Sequence, residues 1–299
     1  MITVAIPTYN RGAIATQCVH RVLALDPPPD ELVVVDQTAI VEPELARLHE
    51  AGRIRLIRLD APSIPHAMNV ALLAARGEVV LFLDDDVEPS PALIREHAAV
   101  YGDPGVWAVV GQCLQPGESP APSPALPSPL PDLEFRFNHD TRREVRNVIA
   151  MNLSVRRARA LEIGGFDENF VMVAYRFESD FALRLTEAGG RILFEPRACV
   201  RHLKIPTGGT RAYGDHKSSP SPAHSVGDYY FARFHARSFP SYALRRLRKN
   251  VVTRYHLAHP WVVPSKLIGE WRGLRLALRL ARGGRKLISP TSRYPGIAP

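Results

Sequence analysis

The sequence lacks the marks of several common protein classes. It has only three cysteines, Cys18, Cys113 and Cys199, far apart and in no CxxC pair. That excludes a disulfide framework and makes a reducing compartment, the cytoplasm, the expected one. No apolar run approaches the ~20 residues that span a bilayer. The N-terminus enters a strand pattern at once, without the charged and then apolar stretch of a signal peptide. No GxxxxGK[ST] loop occurs and no GxGxxG follows a strand, which disfavours P-loop NTPases and the common dinucleotide enzymes. Acid is scarce in one place: residues 233–299 hold 15 Lys and Arg against one acid, Glu270, whereas residues 1–232 hold 23 against 29. The net charge of +8 therefore belongs to the C-terminal segment, which needs its own explanation.

What is present is an alternation of short apolar runs and helical patterns. Thr3–Pro7, Glu31–Asp36, Arg53–Leu59 and Glu78–Leu83 read as strands, and Gly12–Leu25 and Ser63–Ala75 as helices. This order predicts a mainly parallel sheet with helices on both faces. Such sheets bind ligands at the carboxyl ends of their strands, where Thr8–Asn10, Asp36 and Asp84–Asp86 would gather. Beyond them, Arg146–Val155 and Arg191–Phe194 read as strands and Phe177–Ala188 as a helix closed by Gly189-Gly190. The Pro-rich stretch 116–131 reads as an extended loop, 204–223 as a mobile Gly/Pro/Ser-rich loop, and about 228–288 as basic helix. The division expected is a donor-binding half over 1–110, an acceptor-side half over 111–225 and a helical extension over 226–299.

Asp84-Asp85-Asp86 directly follows the apolar run EVVLFL. Adjacent carboxylates repel one another unless a cation or solvent compensates. A solvated turn in which Asp86 caps the next helix would satisfy them. So would Mg2+ or Mn2+, which take carboxylate and phosphate oxygens together.

With these motifs in order, the chain resembles the family 2 glycosyltransferases over roughly residues 1–205. The segments that carry the likeness are VAIPTYNR (Val4–Arg11), VVVDQT (Val33–Thr38), PHAMN (Pro65–Asn69), ARGEVVLFLDDD (Ala75–Asp86), MNLSVRR (Met151–Arg157), GGFDENF (Gly164–Phe170) and FESDFALRL (Phe177–Leu185). The resemblance implies a GT-A fold, an inverting transfer from a nucleotide-sugar to a sugar or lipid-linked acceptor, and a Mn2+ or Mg2+ cofactor. It implies that Pro7, Thr8, Asn10, Asp36 and Asn69 shape the nucleotide site together with Asp84 and Asp85. It makes Asp86 the direct metal ligand, puts His202 near the metal and diphosphate, and makes Glu178 the general base.

Two departures qualify this. The family usually carries a Glu-Asp pair where this chain has Phe177-Glu178, so Asp180 is the other candidate base. The two residues leave a helix in different directions and cannot both serve. Met68 stands where an Arg often precedes Asn69, so a metal or another basic residue, Arg76 or Arg211, is expected to help hold the diphosphate. A scaffold of this fold that has lost catalysis is the alternative these departures keep open.

The basic segment has a pattern of its own. Arg272, Arg275, Arg279, Arg282 and Lys286 would form one helical stripe beside an apolar face of Leu267, Trp271, Leu274, Leu278 and Ala281, and Tyr242–Arg254 adds further charge. Such a helix suits an anionic membrane surface, here the inner face. It suits equally an apolar face packed on the domain with its arginines in water. No nucleic-acid module accompanies the charge, so a nucleic-acid partner is not expected.

Overall fold

A computed structural model describes residues 1–122, 135–209, 213–292 and 294. The Rossmann-like half runs β1 (Ile2–Thr8), α1 (Ala13–Leu23), β2 (Glu31–Asp36), α2 (Pro43–Glu50), β3 (Arg55–Arg58), α3 (Ile64–Ala74) and β4 (Val79–Leu83). Next come β5 (Val87–Pro89), α4 (Leu93–Val100), β6 (Val106–Leu114), β7 (Arg143–Val145), β8 (Asn152–Arg156), α5 (Arg157–Glu162), α6 (Phe177–Glu187) and β9 (Arg191–His202). The chain then turns helical through α7 (Val226–His235), α8 (Phe239–Val251), α9 (Arg254–Ala258) and α10 (Val263–Arg282). The strands form one sheet in the order β3-β2-β1-β4-β8-β6-β9-β5, with β7 also on β9. Strands β1 to β4 are mutually parallel, β8 runs against β4 and β6, and β6 and β9 are parallel.

The period-2 alternation of a strand decides which face each side chain enters. Ala5, Val33, Val35, Val80 and Phe82 point to one face, where they meet α3, α6 and the Tyr229–Phe231 segment of α7. Val4, Ile6, Val34 and Leu81 point to the other, against Val19 and Val22 of α1 and Leu45 of α2. Both faces are apolar, so the runs read as continuous hydrophobic sequence, as buried parallel strands do. The extension is no loose appendage, because Tyr229, Tyr230, Ala277 and Ile288 belong to the first core.

Several expectations need adjusting. Residues 146–151 do not continue a strand, and β8 begins at Asn152, where antiparallel pairing opposite Leu83 starts. Strand β9 is twelve residues long rather than four, because it keeps β6 on one edge past an irregularity in register while β7 and then β5 pair with its other edge. Helix α2 and strand β6 were not anticipated. Of the Pro-rich stretch, residues 123–131 lie outside the described residues, as do 210–212 of the later loop, Arg211 among them.

Candidate active site

The carboxyl ends of the parallel strands do gather on one edge. Strand β1 ends at Thr8 level with Asp36 at the end of β2. Strand β4 ends at Leu83, followed by the three aspartates, and β9 ends at His202, paired with Val87 just beyond them. The ligand atoms of Asp84, Asp86 and His202 lie within 4.8 Å of one another. The Asp86 Oδ1 atom is buried and has no hydrogen bond, although His202 Nε2 is 3.2 Å away. The opposite ring nitrogen of His202, Nδ1, lies 3.0 Å from Gln115 Oε1. If it donates there, it orients the ring and leaves the Nε2 lone pair toward the aspartates, an arrangement common among metal-binding histidines.

Among the described residues this cluster is short of positive charge. Burial, then Asp85 and Asp86, push the Asp84 carboxyl up to about 7. Burial raises Asp85 to about 6, against the pull of Arg11 and of the Thr8 hydroxyl that donates to it at 2.7 Å. Only Asp86 ends below the ordinary range: burial acts to raise it, but the His202 ring and the Arg11 guanidinium outweigh that.

Arg11 is the residue that sequence reasoning missed. Its guanidinium lies 3.0 Å from Asp85 and 3.2 Å from Asp86, and it donates to the Thr207 carbonyl at 2.6 Å. It thereby ties the loop after β1 to the loop after β9. Gly208 closes the same junction, with φ of 76° and a position where a Cβ would strike the Asn10 carbonyl. The available signal was a cation three residues beyond a strand end that faces three acids. Arg76, by contrast, sits beside Glu31 at the start of β2 and β4. That is the opposite edge, a strand length of about 17 Å away, so it cannot serve the site. Met68 is a core residue, 1% exposed among α3's packed apolar side chains.

Asp36 is buried, accepts a hydrogen bond from the Thr38 N–H at 2.9 Å, and leaves Oδ2 without one, 3.3 Å from Arg58. Pro7 is half-buried, and Asn10 is exposed with its N–H on the Thr38 hydroxyl. Asn69 lies elsewhere. Its amide donates to the Phe166 carbonyl and Glu168 and accepts from the Phe166 N–H, joining α3 to the turn after α5. It holds the scaffold and presents nothing to the strand edge.

Glu178 and Asp180 both lie in the first turn of α6, about 200° apart around the helix. Glu178 is half-buried and accepts the Ala150 N–H at 2.8 Å, which brings it to the start of β8 on the site's edge. Burial pushes its pKa up to about 7, against the Ala150 hydrogen bond and the Arg176 charge, and its own charge is felt at Asp84. Asp180 is fully buried on the other side. Arg184 at 2.8 Å, His235 at 2.8 Å and Arg285 at 3.0 Å surround it and, against the effect of burial, hold its pKa down. The Asp180–Arg184 pair is the i,i+4 contact expected of these residues on one helix.

Backbone strain follows the same map. Among the described residues, the non-glycine positions with positive φ are Asn10, Met172, Ala174, Arg176 and Lys204. They fall in the loop after β1, the approach to Glu178 and the loop after His202. Such conformations cost roughly 1–3 kcal/mol each and concentrate where a site requires them.

Comparison with known proteins agrees with this geometry. The glycosyl transferase family 2 model matches residues 3–180. The chain is 23% identical over 218 residues to the O-antigen chain rhamnosyltransferase RfbN of Salmonella typhimurium, covering 67% of this chain and 66% of that protein. It is 34% identical over 143 residues to the pre-mycofactocin glycosyltransferase of Mycobacterium tuberculosis, covering 46% of this chain and 29% of that one. The chain thus spans just under two thirds of the first relative and less than a third of the second. Among solved structures it is similar to a mannosyltransferase from Pyrobaculum calidifontis in complex with GDP-Man and Mn2+, with TM-score 0.56, 21% identity, and 94% and 79% of the two chains covered. It is also similar to S. aureus TarS 1–349 in complex with UDP-GlcNAc, with TM-score 0.58, 17% identity, and 93% and 82% covered. At these identities the structures establish the fold, which is of the GT-A type.

Proposed function

The chain belongs to glycosyl transferase family 2, and from that premise we propose that it moves a sugar from a nucleoside diphosphate donor to a hydroxyl of a glycan or lipid-linked acceptor. The observation that carries the reading is the convergence of Asp84, Asp86 and His202 on one strand edge, with a buried Asp86 oxygen left without a hydrogen bond. That donor set fits a divalent cation. A mixed oxygen and imidazole set favours Mn2+ over Mg2+, which takes oxygen ligands almost alone. When bound, the ion would offset the charge that builds on the departing diphosphate.

The chain's own groups do the rest. Asp36 would accept an N–H of the base through its unsatisfied oxygen, with Pro7, Thr8 and Asn10 shaping the nucleotide pocket around it. Arg11 supplies the fixed cation that Met68 does not. Glu178, held by the Ala150 N–H, takes the proton from the acceptor hydroxyl as that oxygen attacks the anomeric carbon from the face opposite the leaving group. A carboxylate whose pKa lies near 7 is well matched to that task. Asp180 has no place in the transfer, since Arg184, Arg285 and the His235 ring already occupy it.

The test is thermal stabilisation by UDP, dTDP, GDP and CDP, each with and without Mn2+. One nucleotide should stabilise the protein only with metal, by about 2.7 kcal/mol at a hundredfold excess over its Kd. Stabilisation by none of the four would overturn the donor site.

A further inference from the structure

Helix α10 is built the wrong way round for a helix in water. Its domain-facing side combines Leu274, Leu276 and Leu280 with small residues and an internal ion pair. Gly269 and Gly273 bring it so close to the 219–226 segment that a Cβ at either would clash. Lys266 is buried on that side against Glu270 at 2.9 Å. Its outward side carries the bulk: Leu267 is 45% exposed, Trp271 56% and Leu278 36%. At 100° per residue these three fall within an arc of about 40°, and Arg275, Arg279 and Arg272 fill the arc beside them. The Arg275 guanidinium stacks over the Trp271 ring at 4.7 Å. An ordinary surface helix turns its large apolar side chains inward and its charges outward. Here Leu274, Leu276 and Leu280 follow that rule, whereas Leu267, Trp271 and Leu278 face out and Lys266 and Glu270 are buried. Leu274 and Ala281, expected on the same apolar face, do pack inward. The rest of that face stays in solvent.

The pattern is regional. Among the described residues, ten of the thirteen exposed large hydrophobic side chains lie at or beyond Phe234, Trp261 at 71% being one. The same segment has one acid, Glu270, which is buried and held by Arg246 and Lys266. Exposed apolar area of this kind marks a docking surface, and here its charge is of one sign. We propose that the outer face of α10 lies on an anionic lipid surface, with Leu267, Trp271 and Leu278 among the upper acyl chains and the flanking arginines at the headgroups. Trp and Leu beside Arg is the chemistry of interfacial helices. A second copy of the chain fits worse, because it would set like charge against like. The helix lies on the surface rather than through it: no described helix is long and apolar enough to cross a membrane. The proposal deepens the transfer reading by placing the acceptor at a membrane, but it rests on this face alone.

The experiment is sedimentation of the full chain with vesicles of phosphatidylglycerol and phosphatidylcholine, and with phosphatidylcholine alone. Binding is expected to the anionic vesicles only, and to weaken as salt screens it. Exchanging Trp271→Glu together with Leu278→Glu should lower that binding by about tenfold or more while leaving stabilisation by nucleotide and Mn2+ unchanged. Arg275→Gln with Arg279→Gln should weaken it through charge while keeping Leu267, Trp271 and Leu278 in place. The proposal is overturned if wild type stays in the supernatant with anionic vesicles, or if the Glu double variant sediments like wild type. It is equally overturned if the same variant converts a dimer to a monomer in a chain that ignores vesicles. Vesicle binding without nucleotide stabilisation would leave the face intact and count against the transfer reading alone.

Discussion

Glu178 and Asp180 leave helix α6 in opposite directions, each toward its own group of carboxylates, and the chain treats the two groups in opposite ways. On one side, among the described residues, Arg11 pairs with Asp85 and Asp86, the His202 ring lies beside Asp86, and Glu178 has only the Arg176 charge acting on it. On the other, Asp167, Glu168 and Asp180 are matched by Arg184, Arg285 and Lys286, with His66 and His235 added. The first group carries raised pKa values at Asp84, Asp85 and Glu178. In the second, burial also acts to raise Glu168, but the His66, Tyr294, Asn69 and Lys286 hydrogen bonds bring it down to about 2. The difference teaches how to tell a brace from a site. Where a fold can neutralise its own acids it does so, and the cluster it leaves short of charge is where something from outside completes the balance.

The comparison is broken most directly at α6 itself. Glu178→Gln should lower kcat by roughly 10²–10⁴-fold, the usual worth of a general base, while metal-dependent nucleotide stabilisation persists. Wild-type-like turnover would remove Glu178 from the chemistry. Asp180→Asn should do something different: it strands Arg184 and Arg285 in the interior and costs about 3–5 kcal/mol of stability, with any activity loss following unfolding. The sharper contrast is Asp84→Asn in metal-free protein. Removing one charge from the short cluster should raise stability, by about 1 kcal/mol or roughly 2–4 °C in Tm, as often happens when a functional site is relieved. If chemical denaturation finds Asp84→Asn destabilised as Asp180→Asn is, the two clusters are not opposites.

How much of this the sequence carried depends on whether the cause was local. Strand–helix alternation, the parallel sheet and the gathering of Thr8–Asn10, Asp36 and Asp84–Asp86 on one edge were legible, because apolar runs and strand-end polar residues are local signals, whereas His202 came only through the family resemblance. The place of Glu178 beside the strand edge agrees with what its resemblance to a family motif implied. Asn69 was misplaced, because whether an amide faces a ligand or a neighbouring turn is set by Phe166 and Glu168, nearly a hundred residues on. Arg11 was passed over, with Arg76 or Arg211 named instead, for the same reason: charge complementarity across a sheet edge is set by residues distant in sequence. The partial inversion of α10 was also hidden, since helical spacing groups Leu267 with Leu274 and cannot say which of them meets the core.

The finest test of the comparison is pH, because the two clusters should pull stability in opposite directions. Glu168 and Asp180 have folded pKa values below their ordinary ones, so their contribution is present above the ordinary carboxylate range and fades as pH falls below about 4.5 toward 2. Glu178 and Asp84 have folded values near 7 against ordinary values of 4.5 and 3.8, so the folded state holds protons that the unfolded chain has released. Their contribution is present at low pH and is lost as pH rises through about 7. Metal-free protein should therefore be most stable in mildly acidic solution, and its Tm should decline toward neutral pH. Added Mn2+ should flatten that decline, because it binds the deprotonated cluster and substitutes for the missing protons. Activity should run the other way, with kcat/KM rising up to about pH 7 as Glu178 becomes able to accept a proton. A Tm in chelator that climbs steadily from pH 5 to 7.5 would mean that the strand-edge acids are already balanced within the chain, and the case for a cation there would fall with it.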